Sequence, residues 1–244
     1  MADLQKIQFN NRTILTPSGD SFVAIDASDR LFPRDMDFIY LANDYNGTNI
    51  PNRATNTDMG SYNKNGTITK NGSGSDCYLS NGLVYSNFLY IDITSARLNA
   101  MKASNSTYTY FVRVYAPSNG IGGIICFRNT DDNYKYMIRC NSNKIQVGPS
   151  GDKTLTLNPN KVFKITINDA NAVVNDLDGN TQTVNITTTR VMGTRMTSFL
   201  AGVNNYAYRN EGKLDRFYGI AGIARSTTSL EDAKIRAFLL SQGV

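Results

Sequence analysis

Apolar and polar residues alternate with a period of two through most of the chain, the pattern of strands that set one face into a core and the other toward solvent. In 107–115, TYTYFVRVY, one face carries Tyr108, Tyr110, Val112 and Val114, and the other carries Thr107, Thr109, Phe111, Arg113 and Tyr115. The same alternation runs through 134–140, where Tyr134, Tyr136, Ile138 and Cys140 oppose Lys135, Met137 and Arg139. It recurs in 162–167, where Phe163, Ile165 and Ile167 oppose Val162, Lys164 and Thr166. Further β-branched or aromatic runs at 87–93, 121–128, 143–147, 171–175, 181–187 and 197–203 are bounded by turn residues, so the expectation is about a dozen strands.

Asn-Gly and Asp-Gly pairs punctuate these runs at Asn46-Gly47, Asn65-Gly66, Asn71-Gly72, Asn81-Gly82, Asn119-Gly120 and Asp178-Gly179. Such pairs tolerate the positive φ of a hairpin tip, so the connections are antiparallel. Segment 171–186 reads as one hairpin turning near Asp178-Gly179, and 121–140 as another turning through Asn129, Thr130, Asp131, Asp132 and Asn133. Residues 213–225, KLDRFYGIAGIAR, are apolar on both faces with Gly219 and Gly222 interleaved, which suits a strand covered on both sides and closely approached. The period then changes. Thr228-Ser229-Leu230-Glu231 is a capping box, followed by Leu230, Ala233, Ala237 and Leu240 at helical spacing, with Ile235, Phe238 and Leu239 widening the stripe. A single helix of about three turns is expected there, as a packing lid over one end of the body.

Many short antiparallel strands with one terminal helix predict an all-β, antiparallel two-sheet jelly-roll sandwich. The sandwich is placed at 36–244. Residues 1–35, whose short apolar runs are cut by Pro17, Gly19 and Pro33, are read as an N-terminal arm or attachment segment.

Composition narrows the chemistry. The 244 residues include no His and no Trp, only 18% are charged, and Asn, Thr and Ser fill 70 positions, so the surface is polar through amides and hydroxyls. Without His there is no imidazole base, no Ser-His-Asp or Cys-His pair and no His-containing zinc site. Cys77, Cys126 and Cys140 are too far apart for a thiolate metal site, and each falls in a run that reads as strand, so buried reduced thiols are expected. The net charge of +5 is scattered over the chain rather than gathered into a groove for nucleic acid. The opening MADLQKIQFNN lacks an apolar signal region, and no later stretch approaches the ~20 apolar residues of a membrane span, so synthesis and folding in a cytoplasm are expected. The Asn-x-Ser/Thr sequons need no explanation beyond the abundance of those residues.

A sugar site needs aromatic faces for C–H groups and planar amides or carboxylates for hydroxyls. Asn204, Asn205, Tyr206, Tyr208 and Arg209 form the best such cluster, with Tyr45 as a further candidate beside Asp44 and Asn46; the competing reading is ordinary loops with tyrosines packed on the sandwich edge. Tyr108, Tyr110 and Tyr115 are read as core or subunit-interface residues. Among the acids, Glu211 falls in a loop and Glu231 in the helix cap, accepting from a backbone N–H. Asp131/Asp132 and Asp176/Asp178 fall at hairpin tips, where Asp serves the turn. Asp131 and Asp132, with Asn133, are the candidate metal ligands, with Asp176 and Asp178 as alternates. No cofactor is called for; Ca2+ is the ion to weigh, since hard cations take oxygen ligands, against solvated turn acids.

The order of motifs resembles the concanavalin A-like, laminin-G-type lectin and glucanase fold over about 40–244. The resemblance rests on the loop from Tyr45-Asn46-Gly47 through Ile50-Pro51-Asn52, the strand TYTYFVRVYA, the NDLDGN hairpin and the closing FYGIAGIARSTTSLEDAKIRAFLL. Glucanases of that fold carry an E-x-D-x-x-E strand that this chain lacks entirely, so the resemblance implies a sugar binder that is not an enzyme. Low-charge, His-free, Asn/Thr/Gly-rich jelly rolls without a signal peptide also resemble modules of tailed-bacteriophage virions, in tail fibres, baseplates or head fibres. That likeness implies a virion protein made in the host cytoplasm, displayed as a homo-oligomer, a trimer foremost, and joined to other virion proteins through 1–35. Its expected partner is a bacterial surface glycan, with no nucleic acid and no membrane insertion. Two alternatives stay open: a structural capsid or tail decoration protein without glycan binding, and a polysaccharide-cleaving glycosidase using an Asp pair.

Overall fold

The computed structural model describes residues 4–9, 12–17, 32–33, 35–54, 57–80, 88–97, 99, 107–116, 121–128, 134–148, 153–168, 171–185, 195–199 and 214–241. Two antiparallel sheets form a sandwich, as the alternation predicts. The first sheet runs β13 (Lys153–Thr156), β12 (Lys144–Val147), β11 (Tyr134–Asn141), β10 (Ile121–Arg128), β17 (Arg195–Phe199), β8 (Phe88–Asp92), β5 (Tyr62–Asn65) and β4 (Asn49–Ile50). The second runs β16 (Thr181–Asn185), β15 (Asn171–Asn175), β14 (Phe163–Ile167), β9 (Tyr108–Tyr115), β18 (Arg216–Ile223), β7 (Tyr78–Ser80) and β6 (Thr69–Asn71), and β3 (Met36–Leu41) also pairs with β18. Within 1–35, β1 (Leu4–Phe9) and β2 (Arg12–Pro17) pair with each other and belong to neither sheet.

The inner faces meet as the period-two pattern requires. Tyr108, Tyr110 and Val112 of β9 stand in register with Ile167, Ile165 and Phe163 of β14, and all six are buried against Ile125, Phe127, Ile138 and Ile145 of the first sheet. Strands β10, β11, β14 and β15 lie within a residue or so of their expected bounds, whereas β17 starts at Arg195, two residues before the run at 197–203, of which residues 200–203 lie outside the described residues. The count exceeds a dozen because β4, β5, β6, β7 and β13 are only two to four residues long, too short to show a period.

Turn chemistry agrees with the sequence where it is visible: Gly47, Gly66, Gly72 and Gly179 all have positive φ. The hairpin joining β11 to β12 is different. Asn141 pairs with Lys144, and Ser142 and Asn143 between them have φ of 52° and 55°, a two-residue turn built without glycine. In the β15–β16 hairpin the acids serve the turn. Asp176 is buried; its Oδ1 accepts the backbone N–H groups of Asp178 and Asn180 at 3.0 Å, and its Oδ2 accepts Lys161 Nζ at 2.6 Å and Asn180 Nδ2 at 2.7 Å. With both oxygens so engaged, Asp176 is a turn clamp rather than an open ligand for Ca2+.

Helix α1 (Ser229–Leu240) opens with the predicted capping box: Thr228 N–H donates to Glu231 at 2.8 Å, and Glu231 N–H donates to Thr228 Oγ1 at 3.3 Å. Its buried face is narrower than the proposed stripe. Ile235 and Leu239, one turn apart, are buried, Phe238 and Leu240 are partly so, and Leu230 is 66% exposed. Nor is the helix a lid over one end. It covers the outer face of the second sheet, where Ile235 and Leu239 join Met36, Ile39, Leu41, Phe111, Ala221 and Ile223 in a second core. The reason lies in β18 and β3, which are apolar on both faces and so need a second cover.

Arg113, only 4% exposed, secures that cover. Its Nη1 donates to the carbonyls of Leu239 at 3.0 Å and Leu240 at 3.5 Å, its Nε donates to Pro159 O at 3.0 Å, and its guanidinium lies 4.2 Å from the Tyr218 ring centroid. A cation thus meets the carbonyl end of the helix, where the dipole favours positive charge.

The three cysteines are buried and not in disulfides. Cys126 and Cys140 lie in β10 and β11, but Cys77 sits between the 3-10 turn Gly74–Asp76 and β7 rather than inside a strand. Burial pushes the Cys140 thiol up to about 12, although the Gly122 N–H donates to its sulfur at 3.0 Å. No helix among the described residues is long and apolar enough to cross a membrane.

Two outcomes follow from this packing. A Cβ on Gly222 would stand 2.4 Å from the Phe38 ring and 3.0 Å from the Tyr108 hydroxyl. Gly222→Ala therefore lowers the unfolding free energy by about 1–3 kcal/mol, read as a lower urea midpoint. The second concerns acid. The Arg225 guanidinium, at 2.7 Å, together with the Thr228 N–H, holds Glu231 at about 2, below its ordinary 4.5. Burial alone would raise Asp176, but Lys161, Asn180 and the two turn N–H groups hold it well below the ordinary carboxylate range. Depressed carboxylates stabilise the fold above their unfolded values and cease to do so as pH falls through the folded ones. Stability therefore drops as pH falls from 4.5 toward 2, and in Glu231→Gln the wild-type advantage present at pH 6 shrinks over that window, measured by thermal unfolding at each pH.

Candidate functional site

The candidate residues Asn204, Asn205, Tyr206, Tyr208 and Arg209, and the candidate metal ligands Asp131 and Asp132, lie outside the described residues. Tyr45 is described, and it is not a ligand platform: it is 8% exposed, its ring belongs to the main core, and its hydroxyl donates to Gly47 O at 2.9 Å. The polar loop around it serves its own backbone, with Asn46 Oδ1 accepting the N–H groups of Thr48 and Asn49 at 2.9 Å each.

The outer face of the second sheet holds a different aromatic cluster. In register, Phe217 of β18 stands opposite Leu79 of β7 and Val114 of β9, and all three point into the main core. Because side chains alternate along a strand, Tyr78, Arg216, Tyr218 and Tyr115 fall on the opposite face. Arg216 is directly across from Tyr115. Helix α1 covers the neighbouring part of this face and ends where Arg113 takes its last carbonyls, at the edge of the cluster.

Arg216 is the hub. Its guanidinium carbon lies 4.8 Å from the Tyr78 centroid and 5.7 Å from the Tyr115 centroid, within reach of cation–π attraction to both rings. Its Nη1 donates to the Tyr218 hydroxyl at 3.5 Å, which with the nearby Tyr78 and Asp215 holds its pKa above the ordinary arginine value. Tyr218 is buried under the Arg113 guanidinium and meets Tyr78 at 5.8 Å between centroids, tilted by 55°. Tyr78, Tyr115 and Arg216 are half-buried, and Asp215, also half-buried, sets a carboxylate oxygen 3.4 Å from Arg216 Nε. The set thus offers aromatic faces, a planar donor and a carboxylate acceptor side by side, the functional groups that pack against sugar C–H faces and hydrogen-bond sugar hydroxyls. Sequence reading missed it because its members come from three strands. The one visible signal was the alternation that put Arg113 and Tyr115 on the same face.

The remaining described acids are mostly tied into the fold. Asp44, Asp92 and Asp232 pair with Arg53, Arg195 and Lys164. Asp37 is buried, which raises its pKa, although Tyr108 Oη donates to it at 2.6 Å and Arg97 Nη1 at 2.8 Å. No cluster of three or more acidic or thiol groups suited to a metal ion occurs among the described residues.

No family model matches the chain, and no curated protein is similar to it in sequence. Solved structures do share its fold. A receptor binding domain is 12% identical, with a TM-score of 0.56 over 88% of this chain and 53% of its own. The binding domain of botulinum neurotoxin DC in complex with SialylT is 13% identical, with a TM-score of 0.51 over 84% of this chain and 52% of its own. Trypanosoma rangeli sialidase in complex with 2,3-difluorosialic acid is 12% identical, with a TM-score of 0.52 over 85% of this chain and 33% of its own. The chain therefore spans about half the length of the binding domains it matches and a third of the sialidase. At these identities the likeness is one of fold, a two-sheet β-sandwich.

Proposed function

We propose that this chain is a non-catalytic, lectin-like β-sandwich of a tailed-bacteriophage virion, and that it binds carbohydrate of the host surface through Tyr78, Tyr115, Arg216 and Asp215. The observation that carries the binding reading is the Arg216 guanidinium held between two half-exposed tyrosine rings beside a carboxylate. Two solved structures of similar fold hold 2,3-difluorosialic acid and SialylT, which lends the sugar reading support. The absence of the glucanase E-x-D-x-x-E strand and the engagement of described carboxylates by cations and turn N–H groups favour binding over catalysis.

The virion reading rests on an amide- and hydroxyl-rich, weakly charged surface in a chain without His. The attachment role of 1–35 gains support from β1 and β2, which among the described residues pair with no strand but each other, since an isolated two-stranded hairpin is marginal in water and gains from docking on a neighbour. A homo-oligomer, a trimer foremost, is the form in which such a module is displayed.

The test is binding of fluorescently labelled protein to capsulated host cells and to the same cells stripped of polysaccharide. Binding is expected to disappear on stripping, and Tyr115→Ala and Arg216→Ala each to weaken it at least tenfold without loss of cooperative unfolding. Full binding by both variants overturns the site. Binding to neither cell type overturns the adhesin in favour of a structural particle component, whose incorporation is then followed in particles carrying the chain with 1–35 deleted.

A further inference from the structure

A guanidinium carries five N–H donors, and the fold uses few of those on Arg216. Nη1 donates to the Tyr218 hydroxyl only at 3.5 Å, longer than a well-formed hydrogen bond. Asp215 approaches at Nε, but at 3.4 Å it makes an ion pair and no hydrogen bond, and that Nε is buried without an acceptor. Nη2 makes no hydrogen bond with any described residue. Unlike Nε it keeps contact with solvent, on a side chain that is 39% exposed.

Other arginines of the chain are used differently. Arg53 and Arg195 each hold a carboxylate through two nitrogens, Arg225 holds both Asp35 and Glu231, and Arg97 bridges Asp37 and Asp58. The planar fork matches the two oxygens of a carboxylate, which favours such pairs. Arg216 presents the same fork with no hydrogen-bonded carboxylate among the described residues. It is also held in place: the Tyr78 and Tyr115 rings lie against it, and β18 sets it directly across from Tyr115. A donor already oriented costs less to order when a ligand arrives.

The groups beside it are open as well. The hydroxyls of Tyr78 and Tyr115 make no hydrogen bond with described residues and are not buried. Asp215 is 42% exposed at its side chain, and its carboxylate accepts no hydrogen bond. A cation and an anion thus stand next to each other with most of their hydrogen-bonding capacity unspent. A neutral sugar would satisfy Asp215 and leave the fork unmatched, whereas a bare anion would meet the fork and be repelled by Asp215. A ligand with both an acid and hydroxyl groups satisfies the two together.

Building on the reading of this surface as a carbohydrate site, we infer that its ligand is a carboxylate-bearing sugar of the hexuronic acid kind. The sugar carboxylate accepts from Nη1 and Nη2 of Arg216, a sugar hydroxyl donates to Asp215, and the C–H face packs on a tyrosine ring. The fork selects against the neutral sugar, and the charge of Asp215 selects against anions that bring no hydroxyl.

The experiment follows the backbone amides of Tyr78, Tyr115 and Arg216 by nitrogen-15 NMR while the full chain is titrated with D-glucuronate, D-glucose or acetate. Glucuronate is expected to shift these amides saturably, with glucose and acetate roughly tenfold weaker or more. Arg216→Gln keeps a planar donor but loses the charge and the fork, and brings glucuronate down to the level of glucose. Asp215→Asn removes the repulsion, so acetate binds it more tightly than it binds the parent chain. Glucose binding as tightly as glucuronate leaves a sugar site and overturns the acidic ligand. Acetate binding as tightly leaves a bare anion site and overturns the sugar. No shift with any of the three at saturation overturns the carbohydrate reading and this inference with it. These comparisons use the unaltered chain, so they decide the matter even where a variant fails to fold.

Discussion

The structure depends on one constraint: the central strands of the second sheet are buried on both faces. Tyr108, Tyr110 and Val112 of β9 need the first sheet, while Phe111 between them needs a cover on the other side. The same holds for β18, with Phe217 and Ile220 inward and Ala221 and Ile223 outward. A two-layer sandwich buries only one of these faces, so a further element must bury the second, and α1 does so. Holding a short helix on a sheet through two buried side chains is a weak arrangement by itself. Arg113 strengthens it by taking the last helical carbonyls from within the sheet.

Electrostatics in this protein are local rather than global. With 18% charged residues there is little long-range field, yet described acids repeatedly stand against a cation: Asp35 and Glu231 on Arg225, Asp58 and Asp37 on Arg97, Asp92 on Arg195. Most of these pairs join segments distant in sequence. Apart from the Arg97 pair with buried Asp37, these pairs are partly exposed and contribute little stability each, so their effect is to choose positions for loops and turns rather than to hold the core together. The tyrosine–arginine cluster owes its geometry to rings packed around guanidinium groups.

How much of this was legible in the sequence depends on the range of the interaction. The alternation in 107–115, the Asp178-Gly179 turn, the two-sided burial of 217–223 and the Thr228/Glu231 cap are set by neighbours a few residues away, and they read directly. The buried face of α1 did not, because Leu230 and Ile235 are equally apolar and only the docking surface of β3 and β18 decides which turns inward. Tyr45 misled for the same reason: a tyrosine among Asn and Asp looks like a loop aromatic, and nothing local says that its ring turns into the core. The Ser142-Asn143 turn lacked the glycine that announces such turns. The cluster around Arg216 was invisible because β7, β9 and β18 meet only in the folded sheet.

Arg113 gives the outer face a further property. Its guanidinium holds the carbonyl end of α1 on one side and stacks on Tyr218 on the other, and Tyr218 in turn contacts Tyr78 and Arg216. Lifting the last turn of the helix takes the Leu239 and Leu240 carbonyls from that buried cation, leaves it Pro159 O alone, and so loosens the guanidinium that covers Tyr218. The helix terminus and the tyrosine–arginine surface therefore form one cooperative opening unit, and slow amide exchange at the end of α1 and at β18 would report a single event.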